Sequence, residues 1–274
     1  MSRTGEEAAS FQPRDREFGF DRKVLRDSWR SGSLEWLETN GLGGWAGSSL
    51  SGANTRRYHG LLVAAASPPR VRLVLLSKLE ETILTNGSRY ELGCNHFPGV
   101  IHPQGHLYLD RFTKDPFPRF EYEAGGVRLC KTVAAVRGKN TTLVQYKVQK
   151  APGSFFLELR PLIAGRHIHG LVQANDQITR QGVFSNGSFR VTPYPGIPEI
   201  FVFVPGADFR PDPGWYFNFE YPAERERGLD FREDLFSHGS FRLTLEAGSK
   251  VTVAVSTSDP TVGDAGQHLA RERQ

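Results

Sequence analysis

Cysteine is scarce in this chain. The 274 residues include only Cys94 and Cys130, which lie far apart and form no CxxC unit. That spacing gives neither a disulfide framework nor a zinc motif, so two reduced, buried thiols in a cytoplasmic protein are expected. Long apolar runs are missing too, and nothing approaches the ~20 residues of a membrane span. The N-terminal stretch MSRTGEEAASFQPRDREFGF carries acids and has no apolar centre, unlike a secretory signal. Charge is not concentrated in one sign: 34 Lys and Arg against 30 Asp and Glu leave a net +4, mixed along the chain. No basic stripe or nucleic-acid-reading signature results. A Gly-rich phosphate cradle, a nucleophile elbow and a Cys–His pair in recognisable context are all absent. Neither nucleic acid nor membrane is expected as a partner, and no cofactor is expected.

What the chain has is glycine and proline, 29 and 17 of them, scattered between short apolar runs. That pattern favours many strands joined by turns over long helices. Period-2 patterning suggests strands at 33–39, 58–65, 71–85, 107–112, 119–122, 127–136, 142–149, 155–162, 189–193, 200–204, 215–220, 241–245 and 251–256. The last two would form a closing hairpin through Glu246-Ala247-Gly248. Helical or irregular character is expected over 18–29, at Pro222–Gly228 and in the polar tail Gly263–Arg273. About a dozen strands in one chain predict an all-β fold, a large antiparallel two-sheet β-sandwich of the supersandwich type with minor short helices. The expected organisation is a polar, flexible 1–15, a sandwich over 16–258, and a connector over 259–274 leading to something beyond it.

Four ordered blocks carry a family likeness. The first is EWLETNGLGGWAG from Glu35 to Gly47, and the second is TRRYHGLLVA from Thr55 to Ala64. The third is RPLIAGR from Arg160 to Arg166. The fourth runs from Glu220-Tyr221-Pro222 through Asp230 to Glu233-Asp234-Leu235. Together they resemble the N-terminal domain of bacterial and archaeal-type glycogen-debranching enzymes, the amylo-alpha-1,6-glucosidase family. The resemblance implies a β-sandwich that precedes an (α/α) toroid related to glucoamylases. The whole enzyme would hydrolyse α-1,6-linked glucose at glycogen branch stubs, with its acids on the toroid. No toroid sequence is present here, so an accessory role beside a helical catalytic domain is expected, with α-glucan as the substrate. A 4-α-glucanotransferase label sometimes attached to such N-terminal parts is the enzymatic alternative, and a free-standing glucan-binding module is another.

The residues suggest where contact with sugar or partner would fall. Asn40, Gly41 and Gly43 lie in a glycine cluster that loosely fits GxGxxA. No βαβ unit surrounds it, so a tight turn at a domain edge is expected instead of a dinucleotide site. Arg56, Arg57, Tyr58 and His59 form the densest polar cluster. If they lie on a strand, alternation pairs Arg56 with Tyr58 and Arg57 with His59 on opposite faces. Docking or structural roles are preferred for them over direct sugar contact. Trp45 and Trp215 follow glycines and are candidates for exposed stacking platforms, whereas Trp36 reads as core. Glu220, Glu224, Arg227 and Asp230 belong to a mixed-charge segment in which Glu224 and Arg227 suit an i, i+3 ion pair. A salt-bridged acid makes a poor general acid, so no catalytic pair is assigned. The interruption of His102 and His106 by Pro103 and Gly105 argues against a metal site.

Overall fold

The computed structural model describes residues 18–67 and 70–260. The expected flexible 1–15 and the expected helix Gly263–Arg273 lie outside these residues, and of the connector only Asp259 and Pro260 lie within them. The chain begins with β1 (Phe18–Asp21), α1 (Arg22–Leu25), α2 (Ser28–Ser33), β2 (Glu35–Thr39), β3 (Trp45–Ser49), β4 (Gly60–Ser67) and β5 (Val71–Thr85). It continues with β6 (Ser88–Glu91), β7 (Cys94–Phe97), β8 (Val100–Gln104), a 3-10 turn at Gly105–Tyr108, β9 (Leu109–Lys114), β10 (Pro118–Ala124) and β11 (Val127–Ala135). Next come β12 (Thr141–Lys150), β13 (Phe155–His167), β14 (Val183–Ser185), β15 (Ser188–Val191), β16 (Ile200–Phe203) and β17 (Asp208–Glu220). Last are α3 (Pro222–Glu226), β18 (Arg232–Leu245) and β19 (Lys250–Ser256).

The strands form two large antiparallel sheets, so the fold is the all-β sandwich the pattern implied. One sheet has nine strands in the order β1-β9-β10-β11-β12-β19-β16-β15-β14; the other has β17-β18-β13-β5-β4-β3-β2, with β6 on β5. β7 and β8 make a separate ribbon. Between the sheets lies the main apolar core, which includes Leu75, Leu129, Val144, Phe112, Phe241 and Val253, all nearly inaccessible. One acid penetrates it. Glu81 on β5 accepts hydrogen bonds from Tyr146 (2.7 Å) and pairs with Lys131 (2.5 Å), both from the facing sheet. Burial and the Glu81 charge push the Tyr146 phenol well above its usual pKa, so it stays a donor.

Two expectations fail here. Phe241–Leu245 and Val251–Ser256 do not form a hairpin: β18 pairs with β13 and β17, while β19 pairs with β12 and β16 in the other sheet. Glu246-Ala247-Gly248 is therefore a corner between sheets. Tyr58 and His59, expected to open a strand, are not strand either, because β4 begins only at Gly60. By contrast, β5 ends as expected at Asn86-Gly87, where both residues take positive φ (50° and 71°), as a tight hairpin turn needs.

The outer face of the eight-stranded sheet carries a second apolar cluster: Val63, Val74, Leu162, Ala164, Ile168, Phe219 and Leu235. Half-buried Trp45, Tyr58, Phe97 and Tyr216 pack against it. That face positions the residues described next.

Candidate functional site

The glycine cluster is a brace between the sheets. Asn40, 3% exposed, uses its side chain as a local scaffold: Oδ1 accepts the N–H groups of Leu42 (2.9 Å) and Gly44 (3.0 Å). Its Nδ2 donates to the Lys139 carbonyl and to Asn140 Oδ1, at the turn joining β11 to β12. Gly41 and Gly43 have φ of +75° and +90°, where a side chain would strain the backbone. A Cβ on Gly44 would lie 2.6 Å from the Val63 carbonyl oxygen. These residue types are set by closure of the turn onto the neighbouring strands.

The second cluster lies at the other end of the β2–β3 pair, since Thr39 opposes Trp45 while Glu35 opposes Ser49. Along β2 the two ends, Thr39 and Glu35, lie about 13 Å apart. Residues 56–59 form a turn closed by His59 N–H to the Arg56 carbonyl at 3.0 Å. The alternation of faces that a strand would give these four residues therefore does not apply. Arg56 and His59 both address Glu35, with Arg56 Nε at 2.6 Å and His59 Nε2 at 3.5 Å. His59 Nδ1 accepts the Thr55 N–H at 3.1 Å, which leaves Nε2 to carry the proton towards Glu35. The hydrogen bond from His59, opposed by partial burial and reinforced by Arg56, holds the Glu35 carboxyl at about 2. Arg57 and Tyr58 turn together to His169: Arg57 Nη1 donates to the His169 carbonyl, and the Tyr58 hydroxyl lies 3.1 Å from His169 Nδ1.

The mixed-charge segment closes over this turn. Glu224 within α3 is fully buried and accepts the Arg57 N–H (3.3 Å) and Arg227 Nη1 (3.4 Å), the latter being the expected i, i+3 pair. Glu220 accepts from Arg232 (2.9 Å) and Arg225 (3.2 Å). Glu233 is clamped by the Arg166 guanidinium, whose Nη2 donates to Oε2 at 2.9 Å, by the Tyr221 hydroxyl and by the Val172 N–H. Asp234 accepts the N–H groups of Ala174 and Asn218. Asp230 stands apart, exposed. The buried acids of this segment are thus bound to guanidinium or backbone donors.

Of the tryptophans, Trp36 is core at 6% exposure and meets Phe120 edge-on. Trp45 is half-buried, its indole N–H on the Tyr58 carbonyl at 3.0 Å. Trp215 is half-buried too and sits edge-on to Phe236, with centroids 5.2 Å apart. Neither is an open platform, and packing, the commoner outcome for a tryptophan, holds for both. The exposed indole is Trp29 on α2, at 76%. It was hidden in a segment whose sequence reads only as helical or irregular. Trp29, Glu35, Arg56, Arg225 and Glu226 line one cleft of about 380 Å³. Among the described residues no group of three His, Cys, Asp or Glu side chains is arranged to hold a metal ion, and no helix is long and apolar enough to cross a membrane.

Fold and geometry define the class: an antiparallel two-sheet β-sandwich domain whose ionic network is committed to internal hydrogen bonds. Residues 34–252 match the model of the family described as "Glycogen debranching enzyme N terminal", and the chain belongs to that family. No curated protein matches the chain. Among solved structures it is similar to a bacterial glucoamylase complexed with acarbose, at 9% identity and a TM-score of 0.36, over 99% of this chain and 37% of the other. It is also similar to a polysaccharide lyase, at 11% identity and a TM-score of 0.30, over 73% of this chain and 27% of that one. The chain therefore spans well under two thirds of either protein.

Proposed function

We propose that this chain is the non-catalytic accessory domain of a glycogen-debranching enzyme. It docks on a helical catalytic domain and helps shape the α-glucan site there. One observation carries the reading. Beside the outer apolar cluster, which is itself buried, Arg57, Tyr58 and His169 form a corner that still reaches solvent, while the buried acids behind it are held by guanidinium or backbone donors. Aromatic residues and Arg are enriched at protein interfaces, whereas glycoside hydrolysis needs a carboxyl free to donate a proton. Glu35, the acid at the centre of the Arg56–His59 turn, is shifted in the wrong direction for that task.

The docking edge is the Arg57–Tyr58–His169 corner. It is tested by titrating the chain against the helical catalytic domain of a glycogen-debranching enzyme by calorimetry. Association that weakens about tenfold or more in Tyr58→Ala supports the reading, a loss of the size expected for an aromatic anchor. Tight association that ignores Tyr58→Ala and Arg57→Ala would move the contact elsewhere, and no association at all would remove it.

A further inference from the structure

The cleft beside α2 is not explained by packing. A single exposed hydrophobic residue is ordinary on a protein surface, and Trp29 alone would carry nothing. Three further features surround it. Gly32, one turn along the same helix, has no atom within 4 Å of where a Cβ would stand, so the space beside the indole is open. The cleft's polar lining is already organised: Glu35 is fixed between Arg56 and His59, and the Arg56 guanidinium commits its Nε there, one of five donors. Arg225 from α3 completes the rim, held by Glu220 at 3.2 Å and lying over the Phe231 ring. The cleft volume of about 380 Å³ falls at the lower end of ligand pockets, roughly 300–1,000 Å³.

A flat apolar ring sharing a cleft with fixed carboxylate and guanidinium groups suits one chemistry. The CH-rich face of a pyranose lies on an indole, while its ring hydroxyls need both donors and acceptors within reach. We propose that this cleft is a binding subsite for a short segment of an α-glucan chain. Trp29 stacks on a glucosyl ring, and Glu35, Arg56 and Arg225 hydrogen-bond its hydroxyls. The inference rests on the reading of the chain as part of a glucan-acting enzyme, and it deepens that reading.

The test is affinity electrophoresis of the full chain in glycogen-containing gels, with calorimetric titration of maltoheptaose. Two variants probe the cleft from opposite sides. Trp29→Ala removes the platform, and Gly32→Leu fills the open space at a helical position where a side chain is tolerated. Both are expected to lower glucan affinity about tenfold or more while keeping the wild-type melting temperature, and Trp29→Phe should restore part of the loss. Glucan binding unchanged in both variants would overturn the subsite. So would absence of glucan binding by the wild type, and a Trp29-dependent contact with the catalytic domain would then identify the cleft as protein-covered. These results leave the accessory role standing. If the chain instead redistributes maltooligosaccharide lengths, the accessory role fails, and the Trp29 and Gly32 variants still decide the subsite.

Discussion

Glu35 shows how much of this surface is decided by single side chains. Its carboxylate lies between His59 and Arg56, and its pKa falls from an ordinary 4.5 to about 2. A depressed carboxylate pKa contributes stability above the unfolded value, and the contribution disappears as pH falls through the folded one. Because the group is more than a third exposed, solvent screening reduces the effect to about 1–2 kcal/mol. Glu35→Gln should therefore cost that much at pH 7 in urea unfolding. The gap should shrink steadily as pH drops from 4.5 towards 2, and a gap of constant size would contradict the ion-pair account. Only part of this was legible in the sequence. The glycines after Asn40 announce a turn by chemistry alone, because only glycine takes their positive φ cheaply. The partners of the Arg56–His59 turn are distant in the chain, Glu224 lying 167 residues beyond Arg57, and period-2 alternation cannot find them.

At the scale of elements, strand β13 is joined to β18 both by backbone pairing and by the buried Arg166–Glu233 pair. Glu233 also takes the Tyr221 hydroxyl, whose pKa is driven well up by burial and by that carboxylate. Removing one charge of such a pair strands the other without water, at about 3–5 kcal/mol. Glu233→Gln is expected to destabilise by that amount. The double change Arg166→Met with Glu233→Leu should recover much of it, since replacing a buried pair with apolar side chains is often neutral. A double variant no better than the single one would show that the pair also fixes the position of Arg57, whose carbonyl Arg166 holds at 3.0 Å. Long strands such as Val71–Thr85 were legible because apolar residues dominate their first half and recur towards an Asn-Gly turn. Trp45–Ser49 was not: its Trp-Ala-Gly-Ser-Ser sequence has no alternation, and neighbours Trp36 and Val63 define it. The closing hairpin was misread because Glu246-Ala247-Gly248 serves equally well for a hairpin or a corner between sheets. Only the partners across each sheet decide between them.

For the whole molecule, the fold class and the family were carried by patterns spread along the chain, and the candidate surface was not. The blocks at Glu35–Gly47 and Thr55–Ala64 lie close in sequence, yet Asn40 falls at one end of the β2–β3 pair, while Glu35 joins the Arg56–His59 turn at the other. The two candidate tryptophans, Trp45 and Trp215, are half-buried, and the exposed Trp29 lies on a six-residue helix. What folding assembles is a rigid face of bound charges, consistent with support of chemistry performed by another domain. The most direct measurement is an assay of the purified chain on a branched limit dextrin and on maltooligosaccharides, recording released glucose and redistribution of chain length together. An accessory domain gives neither above the uncatalysed background. Sustained glucose release, or redistribution abolished by Glu226→Gln in the cleft, would contradict the account and make this chain an enzyme in its own right.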